Sequence, residues 1–446
     1  MSGGVEMGRG TVRKAGRKAI APKTNIRRSS SPRIDRLHEA ALFVISPDGQ
    51  RDEAGLQAAF ALLRSQAPVY WVECPGMRPF WLVSRHADIM AVEARGAPFI
   101  AAPRSVLSSE AGEANIRQVS GKPDVLRSLF QMDKLEHRAY REIARVWFSQ
   151  PEIEDLDALV THCARQFVGR MPRSGQPFDF AREIAVPFPM RVMMHILGLP
   201  KADDPLILKL ARGLTGAEDP SRALSDRPAE SIRLAGIGFR KYFDRVTADR
   251  RSHPRADLSS AIANACIFGQ PIPDYERLSY FMQLAIAGQE NTAYCITGGL
   301  HALLSHPDQM ARLVRDPTLL GTAIEEILRW TSPGRHLVRT ATHETVVGGE
   351  RIQAGEAVAL FFASANRDEA VFRSASAFEV DRQPNPHLAF GSGPHFCLGV
   401  HLARLELKAL FGVLMQELPR ISLSGTPTRA RSAVISGISS LPVRWS

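Results

Sequence analysis

The sequence lacks any paired arrangement of cysteines. Its five cysteines, at positions 74, 163, 266, 295 and 397, are scattered, odd in number and never spaced as C-x-x-C. A disulfide framework usually needs an even set of cysteines and an oxidising compartment. The pattern therefore argues for reduced thiols inside a cell, and we expect a cytoplasmic protein.

Long apolar runs and nucleotide-binding loops are missing as well. No run of eighteen apolar residues occurs, so no membrane span is expected. There is no P-loop, and no G-x-G-x-x-G opens a helix after a strand pattern, so no flavin or dinucleotide domain is indicated. What remains is an ordinary globular composition. The 446 residues are 44% hydrophobic and 23% charged, enough to bury a large core.

The net charge of +10 is concentrated at the N-terminus. Residues 1–36 contain ten Lys or Arg, two acidic residues and no aromatic residue. We predict a disordered basic tail, because too few apolar residues are present to offset the entropy of ordering. Nucleic-acid binding is less favoured, since no aromatic side chain can stack on bases. An import signal is a second interpretation, because such segments are also Arg-rich and acid-poor.

Apolar periodicity predicts a mainly helical chain with a few short strands. Residues 69–73 and 79–84 are predicted to form a strand hairpin, and residues 97–125 a long loop. Helices are predicted at 53–65, 153–168, 178–197, 205–214, 229–249, 257–267, 274–305 and 318–330.

One stretch, residues 390–399, F-G-S-G-P-H-F-C-L-G, suits neither a helix nor a strand. Its glycines, 391, 393 and 399, allow backbone angles and close approaches that a Cβ would block. A helical pattern follows at once, so Cys397 is expected at the mouth of a helix, where free N–H groups favour an anion. A thiolate in that position is a good metal ligand or nucleophile.

The pattern F-G-x-G-x-H-x-C-x-G resembles the haem-ligand loop of the cytochrome P-450 family. Its defined positions are filled here by Phe390, Gly391, Gly393, His395, Cys397 and Gly399. The resemblance implies a mainly α fold with small β-sheets (α+β), and one catalytic domain over residues 37–446. It also implies haem b between a long central helix and the helix after the loop, with Cys397 as the axial ligand of the iron. The alternative is a glycine-rich loop with a buried structural cysteine.

A second segment, M-D-K-L-E-H-R-A-Y-R-E-I at 132–143, resembles another family motif. His137 and Arg141 are four residues apart, so they share one helix face and together suit a carboxylate. The resemblance implies that this pair binds a haem propionate, with Arg339 and His395 as further ligands. Without the resemblance, a solvated helix face would be the simpler interpretation.

The long helix predicted at 274–305 carries four polar residues in succession, Q-E-N-T at 289–292. Polar groups inside an otherwise apolar helix are costly to bury unless they have a purpose. The segment resembles the A-G-x-D/E-T-T oxygen-binding motif, with Ala287 and Gly288 beside dioxygen. Glu290, Asn291 and Thr292 are the implied catalytic residues, but Asn291 stands where the first threonine is usual. An asparagine amide donates a hydrogen bond but does not relay a proton as a hydroxyl does.

A charged pair, Glu326 and Arg329, fits the E-x-x-R pattern of the family, and Arg382 supplies its usual third member. We interpret this set as a buried charge cluster that serves folding and haem retention, not catalysis.

Taken together, these motifs imply a monooxygenase of small lipophilic molecules that uses dioxygen and electrons from a ferredoxin-type partner. The C-terminal third looks most like the branch that oxidises terpenoid alcohols and sterol side chains. Two alternatives remain open. One is an oxidase that couples aromatic rings or tailors a carrier-bound biosynthetic intermediate, motivated by Asn291, and the other is a haem-binding sensor without turnover.

Replacing Asn291 tests whether its amide substitutes for the missing hydroxyl. Losing a hydrogen bond to a charged reacting group costs roughly 1.5–3 kcal/mol, or about ten- to hundredfold in the affected step. Asn291→Ala should therefore release more peroxide per product formed, while Asn291→Thr should keep or improve that ratio. Loss of product in Asn291→Thr, with haem and substrate still bound, would instead indicate a specialised reaction.

Overall fold

Helices dominate the computed structural model, which describes residues 1, 32–94, 96–121, 126–217, 219, 222–432 and 434–445. A π-helical turn, Ala181–Ala185, precedes the eighth α-helix. The α-helices of the described residues are, in chain order, α1 (Pro32–Ile45), α2 (Glu53–Gln66), α3 (His86–Glu93), α4 (Glu110–Ser120), α5 (Lys134–Arg145), α6 (Gln150–Glu154), α7 (Asp157–Val168), α8 (Pro187–Ile196), α9 (Asp204–Thr215), α10 (Pro228–Ser252), α11 (Leu258–Ala263), α12 (Asp274–Ser305), α13 (Pro307–Arg315), α14 (Leu320–Thr331), α15 (Phe362–Ala365) and α16 (Val400–Leu414).

The strands are short and form small sheets, which confirms the predicted fold class. They are β1 (Val69–Val72), β2 (Phe80–Val83), β3 (Phe99–Ile100), β4 (Phe178–Asp179), β5 (Cys266–Ile267), β6 (Gln270–Pro271), β7 (His336–Ala341), β8 (Thr345–Val347), β9 (Glu350–Ile352), β10 (Ala357–Phe361), β11 (Ile421–Leu423), β12 (Thr428–Arg429), β13 (Ile438–Ser440) and β14 (Pro442–Trp445). The largest sheet has the order β1-β2-β10-β7-β3, in which only β2 and β10 pair in parallel. A three-stranded sheet has the order β11-β14-β4.

Helix α12 crosses the core with the bounds predicted from the sequence. Its 32 residues span about 48 Å, and buried side chains lie on most of its faces. Pro273 occupies the N-cap position of α12. Asp274, the first residue of the helix, pairs with Arg277 at 2.6 Å. No helix among the described residues has both the length and the apolar character needed to cross a membrane.

Four secondary-structure predictions were wrong in part. The helix predicted at 153–168 is interrupted between α6, which ends at Glu154, and α7, which begins at Asp157. The predicted loop at 97–125 contains β3 and α4, and Ser109 caps α4 by accepting a hydrogen bond from the Gly112 N–H. The predicted helix at 178–197 begins as β4 and a π-helical turn, because Asp179 accepts backbone N–H groups that a regular helix would leave free. The predicted helix at 257–267 stops at Ala263, and its last residues pair in the β5–β6 hairpin.

The N-terminal boundary also differs from the prediction. Helix α1 begins at Pro32, so residues 32–36 are helical although they were assigned to the disordered tail. Proline is favoured at a helix start, where its missing N–H has no partner to lose. Residues 2–31 lie outside the described residues, and their disorder stays a prediction.

The predicted buried charge cluster is confirmed. Arg329 and Arg382 contact the two oxygens of the Glu326 carboxylate, at 2.7 and 3.0 Å, and all three side chains are buried. Arg329 also donates to the carbonyls of Asn366, Ala375 and Ala377, and the Asn385 side chain donates to Glu326 at 3.2 Å. The cluster therefore fixes α14 to the segment that leads into residues 390–399.

Candidate functional site

Residues 390–399, which we call the Cys loop, form a closed backbone turn before α16. The Cys397 N–H donates to the Phe390 carbonyl at 3.0 Å, and the Gly391 N–H to the Leu388 carbonyl at 3.0 Å. Gly391 and Gly393 have φ of 68° and 62°, and a Cβ on Gly393 would lie 1.8 Å from the Glu93 carbonyl oxygen. Both glycines are therefore needed as predicted. At Gly399 the backbone is ordinary, with φ of −88°, and a Cβ would meet no protein atom within 4 Å, so its part in holding the cofactor stays a prediction.

The Cys397 thiol lies deep in the protein. Burial raises its pKa, although the Gly399 backbone N–H and the charges of Arg141 and Arg404 oppose the rise. The Gly399 N–H is a donor of the kind expected at a helix start, but desolvation of the free thiol outweighs it. A cation against the sulfur reverses that balance, because a metal-bound thiol loses its proton.

Four cationic or potentially cationic side chains gather beside the loop. The rings of His137 and His395 are 4.3 Å apart, and Arg141 donates to the Phe396 carbonyl at 2.8 Å. Burial, followed by the charges of Arg339, His137 and Arg141, lowers the pKa of His395 to about 3. Burial and the Arg141 charge also lower the pKa of His137. The structure therefore brings together the four residues that the sequence predicted as one cluster.

These residues fit a haem group. The His137 Nε2 is buried without a hydrogen-bond partner, so the cluster has a polar atom that an incoming carboxylate would satisfy. Among the described residues, no group of three or more His, Cys, Asp or Glu side chains is placed to hold a metal ion. A single thiol such as Cys397 fits an iron that brings most of its ligands with it, as in a porphyrin.

On α12, Gly288 serves helix packing and does not simply leave room for dioxygen. A Cβ on this residue would lie 2.3 Å from the Met193 Cε of α8. The rotation of α12, which a motif does not reveal, turns the Gly288 Cβ direction toward the end of the Met193 side chain. The assignment of Gly288 as a dioxygen neighbour stays a prediction. Ala287 is partly exposed, and its assignment as a dioxygen neighbour stays a prediction.

Glu290 is held in a buried polar cluster. Its carboxylate forms an ion pair with Arg222, and the Tyr294 hydroxyl donates to Glu290 Oε1 at 3.3 Å. Arg222 in turn donates to the Tyr294 hydroxyl at 3.1 Å and to Thr215 Oγ1 at 2.8 Å. Arg222 belongs to the α9–α10 connection, so this cluster joins that connection to the centre of α12.

Asn291 and Thr292 point to different surroundings. The Asn291 Oδ1 is buried and has no hydrogen-bond partner. Thr292 is buried and lies beside Glu406 of α16, whose carboxyl is fully buried. Burial raises the pKa of Glu406 far above its usual value, and only the Thr292 hydroxyl opposes the rise. The side chains of the three predicted catalytic residues therefore do not form one contacting group.

Sequence reasoning missed Arg222, Glu406 and Glu93. Arg222 lies in what reads as a polar loop, and no local pattern links it to Glu290. Glu406 had a signal that was available, because it is a lone acidic residue on the apolar helix that follows Cys397. Glu93 ends an unremarkable short helix, α3, and its contact with Arg339 joins distant segments.

Comparisons with known proteins agree with this geometry. The Cytochrome P450 family model matches residues 238–429. The chain is 35% identical over 411 residues to cytochrome P450-terp of a Pseudomonas species, covering 90% of this chain and 96% of that protein. It is 32% identical over 405 residues to a methyl-branched lipid omega-hydroxylase of Mycobacterium bovis, covering 89% and 92%. The crystal structure of CYP108D1 from Novosphingobium aromaticivorans has 35% identity and a TM-score of 0.84, covering 92% and 98%.

The chain therefore belongs to the cytochrome P450 family. This confirms the family resemblance that we found in the sequence. It also confirms the predicted fold class, the haem b cofactor and the monooxygenase class. Dioxygen and a small organic molecule are its substrates.

The packing role of Gly288 can be tested by adding a methyl group. Gly288→Ala should lower the free energy of unfolding by about 1 kcal/mol, because the new Cβ overlaps only the end of the Met193 side chain, which can turn away. Gly321→Ala in α14 is the matched control, since a Cβ there meets nothing within 4 Å. Thermal unfolding of the haem-loaded proteins measures both. Unchanged stability of Gly288→Ala together with slowed CO binding would place the glycine at the dioxygen site.

Proposed function

We propose that this protein hydroxylates or epoxidises a small lipophilic molecule, such as a terpenoid or a steroid, with electrons from a ferredoxin-type partner. The observation that carries the proposal is the buried Cys397 thiol, with an N–H donor and two arginines around it and four propionate-type ligands beside it. The five scattered cysteines, without a disulfide pattern, indicate a reducing environment, so we place the enzyme in the cytoplasm.

The residues of the Cys loop and of α5 would hold the cofactor. Cys397 would bind the iron through its sulfur, and Phe390, Gly391 and Gly399 would shape the loop around it. Arg339 and His395, with His137 and Arg141, would bind the two propionates by charge-assisted hydrogen bonds. Bound haem supplies the activation of dioxygen, so that one oxygen atom enters a C–H or C=C bond and the other leaves as water.

Protons for the water come through groups of this chain. Two electrons and two protons are consumed for each oxygen atom transferred to the substrate. Glu406 lies deep in the core, where burial raises its pKa and favours the protonated carboxyl, and the Thr292 hydroxyl lies beside it. The Asn291 side chain carries an amide N–H donor. The ion pair with Arg222 and the hydrogen bond from Tyr294 fix the position of the Glu290 carboxylate. On the α12 side, Glu406 and Thr292 would donate protons, while the Asn291 amide and the Glu290 carboxylate would order water by hydrogen bonds.

The lipophilic substrate class is supported by apolar segments of the chain. Leu284 of α12 and Ile438 of β13 are apolar and belong to the main core cluster, and Ile435 pairs with Gly334 just before β7. The omega-hydroxylase of Mycobacterium bovis is named for a methyl-branched lipid, which is of the same chemical class.

A second candidate function rests on Asn291. A buried, unpartnered amide oxygen stands where a threonine is usual, which suits a reaction with different proton needs. That reaction would be oxidative ring coupling, or tailoring of a carrier-bound or aromatic intermediate.

The ferredoxin would dock on the exposed side of α5 and the Cys loop. Lys134 and Arg138 are exposed and share a face of α5 with Arg141, which binds the Phe396 carbonyl. Leu135 is 66% exposed and Phe396 40% exposed, so apolar contact area is available beside the positive charges. Such a surface fits an acidic iron–sulfur protein.

The haem-thiolate assignment is tested with CO. The reduced CO complex of the wild type should show the red-shifted Soret band of the family, and Cys397→Ser should lose it, because an alcohol is far less readily deprotonated than a thiol. Cys295→Ser is the matched control, since that buried cysteine lies on α12 and contacts Thr331. A wild-type complex without the red shift contradicts the proposal.

A screen of terpenoids, sterols and fatty acids for substrate-induced Soret shifts tests the substrate class. Binding of charged molecules alone contradicts a lipophilic substrate.

Charge reversal tests the docking surface. Arg138→Glu should slow reduction of the haem by a ferredoxin about tenfold at low salt, and the difference should shrink as salt is added. Arg51→Glu, in the turn between α1 and α2, is a control of equal charge change and should have no effect. Equal slowing in both variants would argue against docking at α5.

A further inference from the structure

Glu93 is a buried carboxylate that the function described above does not use. It is the last residue of α3 and is only 5% exposed. Burial raises the pKa of Glu93, and the charge of Arg339 and the backbone of Ser392 oppose the rise. An acidic side chain in such a place needs a specific partner to offset its desolvation.

That partner is Arg339, the arginine assigned to a haem propionate. Arg339 Nη2 lies 2.7 Å from Glu93 Oε1, and both side chains are almost completely buried. Arg339 Nη1 also donates to the Val338 carbonyl at 3.0 Å. The Glu93 contact is a close ion pair in which Arg339 Nη2 has no well-directed hydrogen bond, and the Ser392 backbone also faces the Glu93 carboxylate. Arg339 therefore keeps donor capacity for another carboxylate.

Glu93 also lies against the Cys loop. A Cβ on Gly391 would be 3.7 Å from Glu93 Oε2, and a Cβ on Gly393 would overlap the Glu93 carbonyl oxygen. The same residue thus contacts both the predicted propionate ligand and the first half of the loop that carries Cys397.

We propose that Glu93 is a positioning residue that fixes Arg339 for the haem propionate and adds a negative charge beside the haem, lowering its reduction potential. The proposal rests on haem binding at this site, as argued under the proposed function. The other charged or titratable groups around the site are Asp133, His137, Arg141 and His395. Unlike these four groups, Glu93 forms an ion pair with Arg339.

The expected consequence follows from Coulomb's law. Reduction adds an electron to the haem, and a nearby carboxylate disfavours that electron. With Glu93 removed, the Arg339 charge is no longer balanced, and the reduced form is favoured. Because the site is buried, solvent screens this effect only weakly.

Two variants separate the charge of Glu93 from its shape, both studied as the haem-loaded full chain. Glu93→Gln keeps the size but not the charge, so its reduction potential should be higher than that of the wild type. Glu93→Asp keeps the charge but is too short to hold Arg339 in place. Its potential should stay near the wild-type value, while haem transfer to apomyoglobin should be about tenfold faster.

Glu369→Gln is the control, because Glu369 also pairs with a buried arginine, Arg64, at 2.7 Å, but its own side chain is 65% exposed and lies outside the haem site. It should change neither the potential nor the rate of haem transfer. An unchanged potential in Glu93→Gln overturns the electrostatic role, and unchanged haem transfer in Glu93→Asp overturns the positioning role. Since the wild-type CO spectrum is read separately, failure of either variant is distinguishable from failure of the haem-thiolate assignment.

Discussion

The desolvation of the Cys397 thiol is the constraint on which the rest of this structure depends. Burial opposes ionisation of Cys397, and one backbone N–H with two nearby arginines does not overcome that effect. The sulfur becomes a stable anion only with a metal opposite, so its surroundings must be held in place for that metal. The Cys loop turns on itself through backbone hydrogen bonds, and the Glu326 cluster anchors the segment that enters it.

The site could be predicted from the sequence wherever a short segment contains the whole physical requirement. The Cys loop has positive φ at Gly391 and Gly393, and both glycines belong to one recognisable ten-residue segment. The bounds of α12 follow from its apolar periodicity and from the prolines near its ends. The gathering of His137, Arg141, Arg339 and His395 was predicted from the family resemblance, since these residues come from three separate segments.

Other features depend on how segments meet, and the sequence does not contain that information locally. The ion pairs Arg222–Glu290 and Glu93–Arg339 join residues far apart in the chain, so no periodicity reveals them. The direction of the Gly288 Cβ depends on how α12 is rotated against α8, and the same motif would read identically in either rotation. Helix α4 was missed because its apolar face is weak, and its N-terminus depends on the Ser109 cap.

The central claim is that Cys397 binds the haem iron through its sulfur. X-ray absorption at the iron edge of the haem-loaded protein measures this directly, because a sulfur neighbour scatters differently and lies farther from iron than nitrogen or oxygen. We predict one sulfur in the first shell of iron in the wild type and none in Cys397→Ser. A first shell of nitrogen and oxygen only in the freshly prepared wild-type protein would contradict the account.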